Sequence, residues 1–272
     1  MLNQTILETR QETPAFWQAD QAAGLRNLLQ PTVLPQICLL LNANDVENQS
    51  LLAARWSVDA MESGRATLLL DQTCGQAAAA LGLSARYELA HTLNGSMTVN
   101  QVTLHYPSQV CSLAVLPCAR GLGKLSTAPE HLFETVRAAS AGHIMPEYIV
   151  INGDSQKLDG LVAFSAPQRV TADSEIRLLV PAHAQGLKRA YGLLKDISQR
   201  GFGFPIRILI SHAGDAQQAA QSFANLSNTC ARFLGISVDY AGYLSEADTN
   251  SSGLHQQAAA TPPFAARRNR HV

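Results

Sequence analysis

Seven short apolar runs recur along the chain, and stretches with helical periodicity separate most of them. The runs are mostly continuous rather than alternating, which is typical of strands covered on both faces of a sheet. The predicted strands span residues 36–41, 66–70, 112–116, 148–152, 175–180, 206–211 and 239–244. Strands of this kind pair in parallel, and parallel pairing requires a long crossover connection between partners.

The connections between the strands are long enough to hold helices. The predicted helices span residues 49–62, 87–93, 129–141, 185–199 and 215–233. Strands that alternate with helices predict the α/β class, with a doubly wound, mostly parallel sheet and helices on both faces. In such a sheet the loops at the carboxyl ends of the strands form the ligand-binding site.

Two flanking segments differ in composition from the central domain, which we place at residues 31–247. Residues 1–30 comprise an N-terminal arm and a partner-docking helix: the polar residues 1–19 lead into the sequence DQAAGLRNLL at positions 20–29. Residues 248–272 are rich in Ser, Gln, Ala and Pro and end in a basic stretch. Such a composition cannot bury enough apolar surface to fold, so we expect a disordered basic tail.

Composition and charge narrow the classes of partner. Of the 272 residues, 46% are hydrophobic, and the formal net charge is −1. A nearly neutral chain is not a generally basic nucleic-acid binder, so we expect no nucleic-acid partner. No apolar run reaches the ~20 residues of a membrane helix, and we expect a cytoplasmic protein. The five cysteines include no C-x-x-C pair, which argues against a zinc module or a disulfide framework.

The loop after the first predicted strand reads NANDVENQS at positions 42–50 and leads directly into a helix. A phosphate-binding loop at this place needs glycines, so that backbone N–H groups can approach phosphate, and a lysine that reaches the terminal phosphates. This loop has no glycine and no lysine, and the charges of Asp45 and Glu47 would repel a triphosphate. These residues argue against nucleotide binding.

Asp71 ends the second predicted strand, a position where this architecture often holds a functional carboxylate. An aspartate at a strand end also commonly caps the next turn, and the residues leave both interpretations open. No histidine lies in an H-x-x-x-H or H-E-x-x-H pattern, and no G-x-S-x-G elbow is present. The sequence therefore predicts no catalytic residue, no metal site and no cofactor.

The segment at 20–29 has the pattern of a short amphipathic helix. Asp20 can cap this helix, Leu25 and Leu28 lie on its apolar stripe, and Gln21 and Arg26 lie beside the stripe. A helix of this kind outside the core can dock into a groove of a partner protein. The alternative is a helix that packs against its own sheet.

Several segments share motifs with one protein family. The sequence at 20–29 is similar to the signature D-Q-A-x-x-L-R, and GRATLLLD at 64–71 is similar to G-x-x-V-L-L-L-D. LAVLPCARG at 113–121 resembles V-x-V-L-P-A-G-S-G, and ARFLGISVDYAGYLSEAD at 231–248 resembles R-F-L-x-x-x-L-x-Y-L-G-Y-I-P-x-D. In this order the motifs resemble the FlhG (YlxH) family, the MinD-like regulators of flagellar number and placement in bacteria. The resemblance implies the P-loop NTPase fold of MinD.

The resemblance also implies where an ATP site would lie, and this sequence departs from the family there. The family's loop reads S-G-K-G-G-V-G-K-T-N, but Asn48 stands where the phosphate-binding lysine belongs and Ala43 where the activating lysine belongs. Gln49 replaces the Mg²⁺-binding threonine, and Asn152 replaces the magnesium-associated aspartate. The degenerate nucleotide loop consists of Ala43, Asn44, Asp45, Val46, Glu47, Asn48 and Gln49, and the vestigial residues are Asp71 and Asn152.

These departures predict a pseudo-ATPase. Together with the resemblance, they imply a non-catalytic regulator of flagellar biosynthesis and placement that acts through protein–protein contacts. In the family that the chain resembles, the N-terminal segment activates FlhF, a signal-recognition-type GTPase. The resemblance implies that Gln21 lies near the GTPase centre. The corresponding partner-binding residues are Asp20, Gln21, Leu25, Arg26 and Leu28.

Further expectations concern assembly and location. Without the two lysines we expect oligomerisation to be independent of ATP, and without an apolar stripe in residues 251–272 we expect no stable membrane binding. The expected partners are an FlhF-type GTPase and other flagellar assembly proteins, which would recruit the protein to a cell pole. Two alternatives remain: an active MinD-type ATPase with an atypical nucleotide loop, and a MinD-like scaffold of another polar assembly.

Overall fold

The computed structural model describes residues 34–125, 129–140, 144–165 and 169–245, and the strands of this part form one sheet. The strands are β1 (Gln36–Asn42), β2 (Thr67–Asp71), β3 (Leu104–Tyr106), β4 (Leu113–Pro117), β5 (Tyr148–Asn152), β6 (Glu175–Pro181), β7 (Ile206–Ala213) and β8 (Asp239–Ser245). Their order across the sheet is β3-β4-β2-β5-β1-β6-β7-β8. Neighbouring strands are parallel except for β3 and β4, which pair antiparallel at one edge.

Helices occupy the connections between the strands. In the described part of the chain they are α1 (Val46–Glu62), α2 (Gln76–Ala80), α3 (Leu89–Leu93), α4 (Val99–Val102), α5 (Leu122–Leu125), α6 (Pro129–Ala139), α7 (Asp159–Val162), α8 (Ala184–Arg200) and α9 (Ala216–Leu234). A short 3₁₀ turn, Ala163–Ser165, follows α7. Glycines at positive φ follow α8 and α9, as expected for helix ends that need a left-handed residue.

Buried side chains cover the sheet on both faces. On one face Trp56 of α1 shares a core cluster with Leu40 of β1 and Val150 of β5. On the other face Leu194 of α8 and Leu226 of α9 belong to a second cluster, which also includes residues of α6. The apolar surface that these clusters remove from water is the main favourable contribution to folding. The arrangement confirms the α/β prediction of a doubly wound, mostly parallel sheet.

The seven predicted strands are all present, with ends that agree to within two residues. The strand β3 was not predicted, because it has only three residues and alternates in exposure instead of forming an apolar run. The predicted segments at 1–30 and 248–272 lie outside the described residues. Among the helices that the structure describes, none combines the length and the apolar character needed to cross a membrane.

Candidate functional site

Three polar residues meet where β1, β2 and β5 end. Asn42, Asp71 and Asn152 are the last residues of these strands, and all three are buried. Because β5 pairs with both β1 and β2, its carboxyl end lies between theirs. This is the edge where a doubly wound sheet normally holds its ligand.

The side chain of Asn42 fills the loop that follows β1. Its Oδ1 accepts hydrogen bonds from the backbone N–H groups of Asn44 at 2.8 Å and Asp45 at 2.9 Å. This turn places Asn44 at a φ of +96°, a left-handed conformation that asparagine tolerates better than most residues. A phosphate loop points such N–H groups at its ligand, whereas here a side chain of the protein engages two of them.

Asp45 adds a negative charge to the same loop. Its side chain is 6% exposed and accepts hydrogen bonds from Asn48 Nδ2 at 2.9 Å and from Ser211 Oγ at 2.8 Å. His212 Nε2 lies 3.2 Å from Asp45 Oδ2, and the backbone of His212 has a φ of +54°. The carboxylate is therefore well satisfied by protein donors, and an incoming phosphate would meet like charge.

Gln49 joins the loop to two strands. Its side chain is fully buried, and Nε2 donates to the carbonyl oxygens of Leu40 at 2.7 Å and Gly153 at 2.8 Å. The side-chain oxygen of Gln49 accepts from the amide of Asn42. All the hydrogen bonds of this side chain thus go to protein groups, and Gln49 acts as a structural cross-link in the described residues.

Asp71 makes the contacts of a capping residue. Its Oδ1 accepts from the backbone N–H of Thr73 at 2.9 Å and from the Thr73 hydroxyl at 2.6 Å. Its Oδ2 accepts from the backbone N–H groups of Ala77 at 3.1 Å and Ala78 at 3.3 Å, in α2. The sequence left open whether Asp71 is a functional carboxylate or a residue that caps the next turn, and these contacts are those of a cap.

The amide of Asn152 completes the cluster. Its Nδ2 lies 2.7 Å from Thr73 Oγ1, 3.1 Å from Ser50 Oγ and 3.2 Å from Asp71 Oδ1. An aspartate at this position would place a second carboxylate beside Asp71, an arrangement that a magnesium ion normally compensates. The neutral amide instead donates to Asp71, so the two side chains are compatible without a metal. No group of metal-ligating side chains was found among the described residues.

Two of the residues that hold this network were not foreseen. Ser211 and His212, near the end of β7, contact Asp45 across a sequence separation of more than 160 residues. No local pattern marks them, because only the sheet order brings β7 near the loop. The five residues expected to bind a partner, Asp20, Gln21, Leu25, Arg26 and Leu28, lie outside the described part of the chain.

Comparison with known proteins gives a relative that is similar in sequence and several solved structures that are similar in fold. No protein-family model matches the chain. The antiactivator FleN of Pseudomonas aeruginosa is 25% identical over 204 residues, which cover 74% of this chain and 70% of FleN. The MinD cell division protein of Aquifex aeolicus superposes with a TM-score of 0.55 at 13% identity, over 80% of this chain and 87% of MinD. The septum site-determining protein MinD of Pyrococcus horikoshii, solved with Mg-ADP, gives 0.54 at 14% identity, over 78% and 82%.

The two MinD structures are similar in fold, and FleN is similar in sequence over three quarters of the chain. Both findings agree with the motifs that run in order from 20–29 to 231–248. These similarities support the resemblance to the FlhG family of MinD/ParA-like proteins.

Proposed function

We propose that this chain is a non-catalytic regulator of flagellar biosynthesis and placement that acts through contacts with partner proteins. The observation that carries the proposal is the hydrogen-bond network among protein groups at the ends of β1, β2 and β5. There, Asn42 and Gln49 bond to the loop and strands, and Asn152 bonds to Asp71. FleN is an antiactivator, and we extend a regulatory role of that kind to this chain.

The charges at the site support the absence of phosphoryl transfer. That reaction depends on metal and lysine to neutralise the phosphate oxygens, but the loop presents the carboxylate of Asp45. The chain has no lysine before Lys124. Lys157, in the loop after β5, lies 2.9 Å from Asp154 and 3.2 Å from the carbonyl oxygen of Ala119. These observations favour the pseudo-ATPase over an active ATPase with an atypical loop.

The proposed partner-binding element is the segment at 20–29. It keeps the family signature while the nucleotide loop has lost its glycines and lysines, so its task does not depend on ATP. We assign Gln21 to the orientation of groups near the γ-phosphate of a bound FlhF-type GTPase. Leu25 and Leu28 would supply affinity, since full burial of a leucine contributes about 1.5–3 kcal/mol. The same segment disfavours a scaffold of an unrelated polar assembly.

The test measures GTP hydrolysis by an FlhF-type GTPase with and without the full chain. We expect stimulation, and a peptide of residues 1–30 should reproduce it. Leu25→Ala should weaken binding about tenfold to a hundredfold, whereas Gln21→Ala should leave binding nearly unchanged and reduce stimulation. Gln18→Ala, outside the signature, serves as the matched control. Absence of both binding and stimulation would reject the partner assignment.

A second measurement addresses the nucleotide. Calorimetry with Mg·ATP should detect no micromolar binding, which would correspond to about −8 kcal/mol, and no phosphate release should be seen. Hydrolysis that disappears in the Asp71→Ala variant would contradict the pseudo-ATPase proposal.

A further inference from the structure

A cleft of about 490 Å³ opens at the carboxyl ends of β2, β4 and β5. Its walls come from the turn after β2, the loop after β4, the loop after β5 and the segment that leads into α3. None of the network residues Asn42, Gln49, Asp71, Thr73 and Asn152 lines this cleft. The carboxyl edge of a parallel sheet is where this architecture places ligand sites, and the volume suits a small organic molecule.

Three cationic side chains enter the cleft from three separate segments. Arg86 precedes α3, Arg120 follows β4 and Lys157 follows β5. Arg120 pairs with Glu88, and Lys157 pairs with Asp154 at 2.9 Å. These pairs use only some of the five N–H groups of a guanidinium and the three of an ammonium.

Arg86 is the unpaired charge of the cleft. It is exposed and has no carboxylate partner among the described residues. The paired cations are balanced by their neighbours, so Arg86 leaves the cleft with an excess of positive charge. An anion can therefore bind without displacing an existing ion pair, and a guanidinium presents a planar fork that fits phosphate and carboxylate.

The rest of the cleft offers an aromatic and apolar surface. The Tyr87 side chain is 47% exposed, and its ring meets His91 edge to face with the centroids 5.5 Å apart. Ala85, Pro117 and Ala119 contribute further apolar lining. An exposed aromatic ring beside cations is suited to a planar ring of the ligand, since stacking adds affinity without requiring a hydrogen bond.

We propose that this cleft binds a small organic phosphate, a phosphomonoester of a molecule that also carries a planar ring, as a nucleoside monophosphate does. Three cations from separate segments can engage the three terminal oxygens of a phosphomonoester, whereas a carboxylate offers only two oxygens. The planar ring of the ligand would then stack on the ring of Tyr87. This site does not depend on the proposed GTPase partner, and its failure would leave the regulatory proposal intact.

Cys74 provides a reporter inside the cleft. It is exposed and lines the wall, whereas Cys38, Cys118 and Cys230 are fully buried. In a Cys111→Ser background, alkylation of the folded full chain by a maleimide therefore follows Cys74. A ligand seated in the cleft should slow that reaction.

The probe is AMP, titrated by calorimetry and in the alkylation assay. We expect saturable binding and a slower reaction of Cys74. Adenosine lacks the phosphate, and ribose 5-phosphate lacks the planar base. For each of them, protection of Cys74 should require a concentration at least about tenfold higher than for AMP. Arg86→Ala should weaken AMP binding at least about tenfold. The matched control is Arg189→Ala, which removes an exposed arginine of α8 that does not line the cleft.

Each alternative result overturns the proposal or part of it. No saturable AMP binding up to about 10 mM would refute the site. Binding that leaves Cys74 reactivity unchanged, or that survives Arg86→Ala, would place the ligand elsewhere. Equal protection by adenosine would refute the role of the phosphate, and equal protection by ribose 5-phosphate would refute the role of the ring.

Discussion

The substitution Asn152→Asp tests the hydrogen-bond network at the ends of β1, β2 and β5. Asn152 Nδ2 has two hydrogens, and three oxygens lie within hydrogen-bond distance of it: Thr73 Oγ1 at 2.7 Å, Ser50 Oγ at 3.1 Å and Asp71 Oδ1 at 3.2 Å. The substitution keeps the shape of the side chain but replaces a neutral donor by a carboxylate. It places two carboxylates together in the interior and leaves the hydroxyl oxygens without that donor.

The expected destabilisation follows from charge and protonation. Two full charges at that 3.2 Å separation repel by about 5 kcal/mol at an effective dielectric constant of ~20. The folded protein can avoid this repulsion if the introduced carboxyl takes up a proton. From an unfolded pKa of about 3.9 that uptake costs about 4 kcal/mol at pH 7 and about 1.5 kcal/mol at pH 5. We therefore expect a loss of about 3–4 kcal/mol at pH 7.

The direction of the pH effect is a second check. Repulsion and burial raise the pKa of the introduced carboxyl in the folded state, so the folded state binds more protons than the unfolded state. Stability relative to the native chain should then fall as pH rises from about 4 through the raised pKa. At pH 5 the difference should shrink to about 1–2 kcal/mol.

Urea denaturation at pH 5 and pH 7, followed by circular dichroism, measures both quantities. Asn225→Asp makes the same chemical change at an exposed position of α9 and should stay within about 0.5 kcal/mol of the native chain. If Asn152→Asp unfolds at the native urea concentration at both pH values, the network around Asp71 does not exist as described.

Four further predictions concern packing, thiols, nucleotide and membrane. Gly186→Ala should lower the free energy of unfolding by about 1–3 kcal/mol, because its Cβ would lie 2.5 Å from the carbonyl oxygen of Pro181 at the end of β6. In the same helix, the Cβ of Gly192→Ala meets nothing within 4 Å, so this control should stabilise the protein by about 0.5–1 kcal/mol. Thermal melts measure both changes. Burial raises the pKa of the thiols of Cys118 and Cys230 and raises that of Cys38 to about 12. Mass spectrometry after alkylation of the folded chain at pH 8 should therefore find only Cys74 and Cys111 modified. Labelling of all five cysteines would refute this burial. Sedimentation profiles should be identical with and without Mg·ATP, and a nucleotide-dependent dimer would contradict the closed loop. Liposome flotation should recover little protein at high salt, because residues 248–272 carry charge but no apolar face.

The sheet could be predicted because its strands are buried on both faces. Such strands must be apolar at nearly every position, and runs such as those of β1 and β5 show this directly in the sequence. The exceptions are elements that bury little surface. The three-residue strand β3 and the short helices α2 and α4 have too few apolar positions to produce a period.

The absence of glycine and lysine from the loop after β1 is a matter of residue type alone, so the sequence shows it without the fold. The sequence did not determine how the residues there satisfy one another. Asp71 could have been a functional carboxylate or a cap, and only the folded chain brings α2 and Asn152 to it. Asp45 meets Ser211 of β7 for the same reason. Hydrogen bonds depend on distances of about 3 Å, and between residues far apart in sequence such distances are set by the order of strands in the sheet.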